Sequence, residues 1–271
     1  MSGERGSTRQ RTGCAALALA ATLAGCATPA QLIDRRAAAL GFTREVLHGS
    51  RFDHLLFHRG VRQPGKPLHV YIEGDGAPYL DARTIARDPT PRAPVMLRLM
   101  ALDSAPSIYV GRPCYFALAA PADCSPIYWT VARFSPEVVD SMAAIVERAR
   151  GPDGAGVVLL GHSGGGALAV LLAQRLTNVE AIVTVAGNLD PAAWTELHRY
   201  SPLELSLNPS DRMLEGVPLV LHLAGAQDRV MPPELIAAAA LEIGGNVRVV
   251  AAVRHTCCWE QAWISVLNSL P

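Results

Sequence analysis

In the stretch GVVLLGHSGGGALAVLLAQRL, Gly156 to Leu176, an apolar run enters a serine enclosed by glycines and leaves as a second apolar run. Gly161, Gly164, Gly165 and Gly166 surround Ser163. Glycine loses more backbone freedom on folding than any other residue, so such a cluster signals tight backbone geometry. Gly156 to Leu160 suits a buried strand and Ala167 to Leu176 a helix, which puts Ser163 at the turn between them.

The flanking sequence repeats this alternation. SPEVVDSMAAIVERAR, from Ser135, opens with Ser then Pro, the N-cap and first-turn signature of a helix. Strands are expected at Leu68 to Ile72, Ser107 to Val110, Val179 to Gly187, Val217 to Gly225 and Asn246 to Val253, with a closing helix over Cys257 to Leu270. Continuous apolar strands separated by helices indicate a parallel sheet covered on both faces. Phe42 to Gly60 alternates apolar and polar residues on either side of Gly49-Ser50, the pattern of an antiparallel hairpin. The fold class is therefore α/β, with a mostly parallel central sheet.

Composition bounds the function. Of 271 residues 50% are hydrophobic and 18% charged, with a formal net charge of zero, which suits one or at most two globular domains. No long basic run is present, so nucleic acid is not an expected partner.

Ligands in parallel sheets bind just past the carboxyl ends of the strands, and the informative residues stand there. Gly161-His162-Ser163-Gly164-Gly165 is a G-x-S-x-G. A serine hydroxyl needs a base to take its proton and a third group to orient that base. Asp228 follows one strand in AGAQDRVMPP, and His255 follows the last strand in VRHTCCW. Asp190, in AGNLDPAAW, is the rival acid, but it precedes Pro191 and suits a helix N-cap. His162 is expected to pack beneath the turn rather than to act as base.

With Ser163, Asp228 and His255 in that order, each after a strand, the chain from Phe42 onward resembles the α/β-hydrolases. The resemblance implies a nucleophile elbow at Ser163, His255 as base, Asp228 as its orienting acid, and a small cap. It also implies an oxyanion hole made by the backbone N–H of Gly164 and an N–H from the loop after Leu68 to Ile72. Relatives often carry His-Gly in that loop; here it reads Glu73-Gly74-Asp75-Gly76, so the second donor is Asp75 or, alternatively, Gly74. Carboxylates at Glu73 and Asp75 are unfavourable near an oxyanion unless they turn away or pair, with Arg112 or Arg83 as candidate partners. The implied activity is acyl-bond hydrolysis, most readily of a carboxylic ester, with no metal or organic cofactor. The alternatives are an acyltransferase or an inactive binding protein on the same fold. A histidine base makes activity rise with pH, with a midpoint at about pH 6 to 8.

The N-terminus is a separate object. Arg5, Arg9 and Arg11 precede the uncharged run CAALALAATLAG, Cys14 to Gly25, a basic and then apolar pattern typical of a secretory signal. Leu23-Ala24-Gly25-Cys26 resembles a bacterial lipobox, which implies cleavage after residue 25 and acyl chains on Cys26. Ala27 in the next position suggests the outer membrane. The expected organisation is a signal over 1–25, a lipidated tether over 26–40 that becomes a short helix within the alanine-rich Pro29 to Leu40, and a hydrolase domain over 41–271 with a lid insertion at about 188–213. The expected partners are the membrane and an acyl substrate. Of six cysteines, Cys114, Cys124, Cys257 and Cys258 remain for the domain. Cys114 with Cys124 is the favoured disulfide, and Cys257 and Cys258 form either a vicinal bridge or two thiols. Tyr115, Tyr128, Trp129, Trp194 and Tyr200 are candidates for a pocket mouth, or else pack their loops onto the core.

Overall fold

The computed structural model describes Gly3, residues 27–118 and residues 123–271. The lipidation site at Cys26 and, apart from Gly3, the signal segment lie outside the described residues. Eight strands form one sheet: β1 (Thr43–His48), β2 (Asp53–Arg59), β3 (Leu68–Ile72), β4 (Ser107–Val110), β5 (Val157–His162), β6 (Val179–Val185), β7 (Leu219–Gly225) and β8 (Asn246–Val250). Their order across the sheet is β1-β2-β4-β3-β5-β6-β7-β8. β1 and β2 form the expected antiparallel hairpin, β2 runs antiparallel to β4, and β4 to β8 are parallel neighbours.

Every residue of β3 and β5 is buried, which requires cover on both faces. Helices α2 (Val95–Met100) and α7 (Glu260–Leu267) pack together, as do α3 (Pro136–Arg150) and α4 (Gly164–Ala173), and α2 and α4 both lie on β3 and β5. Trp263 of α7 meets Tyr71 of β3 edge-on at 6.1 Å, and both are wholly buried. Helix α6 (Pro233–Ile243) leads into β8, which stops at Val250 rather than Val253. Ala252 there takes a φ of 58°, which ends the strand and turns the chain toward His255.

The tether expected over 26–40 is largely part of the folded domain. Thr28 and Gln31 form a capping box that starts helix α1 (Pro29–Ala39), with Pro29 in the first turn. Ala30, Ile33 and Ala37 recur on one face and are buried, and α1 lies beside β1. The short helix is the one expected at the end of the tether; its packing onto β1 is the addition. The insertion at 188–213 holds one helix, α5 (Pro191–His198), and a single 3-10 turn at Pro209–Asp211. Both cysteine pairs are bonded, Cys114 to Cys124 and Cys257 to Cys258.

Candidate active site

β5 carries the chain into a sharp turn at Ser163, where φ is 52° and ψ is −122°. A non-glycine residue in this region is strained and persists only where its surroundings hold it. Here the Ser163 N–H donates to Val185 O and the Ser163 carbonyl accepts from Asn188 N, each at 2.9 Å. The glycines allow the turn to close. A Cβ on Gly165 would lie 2.6 Å from Glu73 O, and one on Gly161 would lie 2.7 Å from Gly166 N. β3 and the elbow are therefore in backbone contact, which no side chain at these positions would permit.

Ser163, His255 and Asp228 come together in one hydrogen-bonded chain. His255 Nε2 lies 3.0 Å from Ser163 Oγ, and His255 Nδ1 lies 2.8 Å from Asp228 Oδ2. Asp228 is buried, which alone would raise its pKa, but the His255 hydrogen bond and the N–H groups of Met231 and Val230 outweigh this and lower it. Its Oδ1 accepts from Val230 N at 2.8 Å and Met231 N at 2.9 Å, which fixes the carboxylate plane. An ionised Asp228 accepts a hydrogen bond from the Nδ1–H of His255, which leaves Nε2 unprotonated to accept from the serine hydroxyl. Burial lowers the His255 pKa below 6.5, His162 adds to this, and Asp228 opposes it. The imidazole is thus neutral at neutral pH. Asp190 instead caps α5, accepting from Ala192 N and Ala193 N, each at 3.1 Å.

His162 is buried beneath the elbow, with its ring 4.9 Å from that of His255. Its Nε2 donates to the His255 carbonyl at 2.8 Å, and Trp259 Nε1 donates to the same oxygen at 3.1 Å. The backbone of the histidine loop is thereby anchored to the core from two sides. The vicinal Cys257–Cys258 bridge lies just beyond, on the exposed side of that loop.

The loop after β3 places Glu73 and Asp75 differently. Glu73 is buried and turned onto the start of α2, where it accepts from Met96 N at 2.9 Å. It also accepts from Gly74 N at 3.3 Å, so that N–H is engaged. The N–H groups of Asp75 and Gly164 make no hydrogen bond among the described residues. A Cβ on Gly164 would collide with Asp75 Oδ1, so the missing side chain is what admits the Asp75 carboxylate.

That carboxylate is neutralised on both oxygens. Arg112 Nη1 pairs with Oδ1, and Arg133 Nη1 donates to Oδ2 at 2.7 Å. Tyr115 Oη donates to the Asp75 carbonyl at 2.9 Å. Burial would raise the Asp75 pKa, but Arg133 and Arg112 outweigh it and hold the value at about 2. The peptide that presents the Asp75 N–H is thus held at its carbonyl and its side chain. Arg112 is one of the two expected partners, while Arg83 is an exposed loop residue without this contact. Arg133 carried no local sequence signal, since it reaches Asp75 across 58 positions.

A cleft of about 1080 Å³ opens over Ser163 and His255. Of the five candidate aromatics, Trp194 and Tyr200 line it, and Tyr79 joins them from the β3 loop. Tyr115, Tyr128 and Trp129 are buried instead; Trp129 Nε1 donates to Ala86 O at 3.1 Å and ties its loop to the core. Trp194 Nε1 and His198 Nε2 both donate to Val230 O, which braces α5 across the cleft mouth.

No family model and no curated relative matches the sequence. Solved structures do match the fold. A putative hydrolase from Agrobacterium vitis is 15% identical, with a TM-score of 0.56 over 84% of this chain and 97% of that one. An esterase from Pyrobaculum calidifontis is 14% identical, with a TM-score of 0.53 over 88% of this chain and 90% of that one. Mouse alpha/beta hydrolase domain-containing protein 10 is 13% identical, with a TM-score of 0.56 over 84% and 96%. The strand order, the serine turn between β5 and α4 and these likenesses together identify the fold as that of the α/β-hydrolase superfamily.

Proposed function

We propose that the chain is a serine hydrolase that cleaves an acyl bond, a carboxylic ester first, and that it works tethered to the bacterial envelope through lipid on Cys26. The observation that carries the hydrolase reading is the chain from Ser163 Oγ through His255 to Asp228, at 3.0 and 2.8 Å. His255 Nε2 accepts the hydroxyl proton as Ser163 Oγ attacks the carbonyl carbon. The proton then passes to the departing alkoxide, and the acyl group stays on the serine.

Negative charge develops on the carbonyl oxygen during attack. The N–H groups of Gly164 and Asp75 are the donors for it, Gly74 N being engaged by Glu73. A water activated by His255 then attacks the acyl enzyme, and Ser163 recovers its proton. The apolar walls from Trp194, Leu203 and Val131 suit an acyl chain. The Pyrobaculum neighbour is an esterase, which agrees with an ester substrate here. The envelope reading rests on Leu23-Ala24-Gly25-Cys26 and the basic, apolar segment before it.

Ester turnover by the Ser163→Ala variant tests the hydrolase reading. Its kcat is expected to fall by roughly 10⁴ to 10⁶ with unchanged circular dichroism. Near-normal turnover would place the nucleophile elsewhere. Metabolic labelling with an alkyne-bearing fatty acid tests the anchor: label is expected on the wild type and not on Cys26→Ser.

A further inference from the structure

In the wall beside the nucleophile two arginines share one carboxylate, and one of them keeps a donor free among the described residues. Asp75 supplies one negative charge to two arginines, Arg112 and Arg133, whose side chains are 2% and 7% exposed. Glu73, the other acid of this wall, turns to the N–H groups of Met96 and Gly74 and pairs with neither arginine.

Arg133 itself is incompletely used. Its Nε donates to Thr130 O at 2.7 Å and its Nη1 to Asp75 Oδ2. Its Nη2 makes no hydrogen bond among the described residues, and the residue lines the cleft. Farther out, Arg92 and Arg199 line the same cleft, are exposed, and make no ion pair among the described residues. The acid facing them at the rim is Asp81, whose oxygens already accept from Arg83 N, Thr84 N and Thr84 Oγ1.

We infer that Arg133 is the centre of an anion-binding subsite, and that the substrate is an ester bearing a carboxylate or comparable anionic group close to its scissile bond. Arg92 and Arg199 draw that anion into the cleft, and Arg133 Nη2 donates to it beside Ser163. An anionic oxygen completes the donor set of a guanidinium that the fold leaves open. This rests on the hydrolase reading above and adds the substrate class.

Matched esters test it on the full-length protein. Mono-4-nitrophenyl adipate is compared with 4-nitrophenyl hexanoate, which puts a carboxylate in place of the terminal methyl of the acyl chain. The 4-carboxyphenyl ester of hexanoate is compared with its methyl-ester analogue, which puts the anion on the leaving group. One anionic member is expected to show a kcat/KM about tenfold or more above its neutral partner, less at high salt. Arg133→Gln should bring that ratio close to one whatever it does to the absolute rates. The double variant Arg92→Gln/Arg199→Gln, which leaves the Asp75 clamp intact, should lower the ratio partway. No anionic preference in the wild type, or an Arg133→Gln variant that slows both members equally, overturns the subsite. If neither charged nor neutral ester is cleaved, the hydrolase reading has failed separately. Calorimetric binding of adipate then decides the subsite: binding weakened by Arg133→Gln supports it, and absent binding overturns it.

Discussion

Replacing Asp75 by Asn removes the negative charge between two buried guanidinium groups while keeping the side-chain shape. The carboxyl, ordinarily near 3.8, is held at about 2 despite its burial. At about 1.4 kcal/mol per pH unit, that gap corresponds to roughly 2 to 3 kcal/mol in favour of the charged, folded form. The variant also leaves Arg112 and Arg133 facing an amide, and breaking one side of a buried ion pair typically costs about 3 to 5 kcal/mol. Asp75→Asn is therefore expected to lose about 3 kcal/mol or more at pH 7, measured by urea unfolding against the wild type. Because the folded pKa is depressed, the contribution is complete above about pH 4 and fades as pH falls through about 2. The two unfolding curves should converge in that acid window. A loss under about 1 kcal/mol at pH 7 would refute the reasoning, since it would mean that the arginines are solvated without Asp75.

The base, a buried histidine and the elbow give three further predictions. Burial holds the His255 pKa below 6.5, so the acid limb of kcat/KM should fall below pH 6.5; a limb well above 7 would contradict the neutral imidazole. His54 is buried between Gly111 O and Ser141 Oγ, and burial lowers its pKa to about 4 from 6.5. Between those values the unfolded chain binds a proton that the folded chain does not, so stability should fall with pH across that window, by up to about 3 kcal/mol from this residue, then level off. A His54→Gln variant with the same pH slope as the wild type would show that the histidine is not responsible. Gly165→Ala drives a methyl into the backbone oxygens of β3 and should cost about 2 to 3 kcal/mol in unfolding experiments, with esterase activity reduced as the Asp75 loop shifts. An unchanged unfolding midpoint would mean that the elbow has slack.

The parallel sheet was legible because β5, β6 and β7 are predominantly apolar runs, and Ser163, Asp228 and His255 each follow one of the strands in that order. The turn at Ser163 was legible because glycine spacing reports backbone approach, and the collisions at Gly161 and Gly165 are its physical content. Helix α1 was legible as a short helix, but its packing against the domain was not, because its buried stripe is mostly alanine and differs little in sequence from a solvated helix. The clamp on Asp75 was only half legible. Arg112 stands directly after β4 and could be considered as a partner, but Arg133 lies in an irregular loop and meets Asp75 only through the tertiary fold. Pairings between irregular segments leave no periodic trace in a sequence. The aromatic candidates divided for a similar reason: Tyr128 and Trp129 fill space under a loop, whereas Tyr200 stacks on His198 at the rim.

The central claim is that Ser163 is a nucleophile activated by His255. Intact-mass measurement of the full-length protein after exposure to a fluorophosphonate tests it most directly. The account predicts one adduct, mapped by peptide analysis to Ser163, that is absent from Ser163→Ala and strongly slowed in His255→Ala. A folded wild-type protein that takes up no adduct, or one that carries it on another residue, would contradict it.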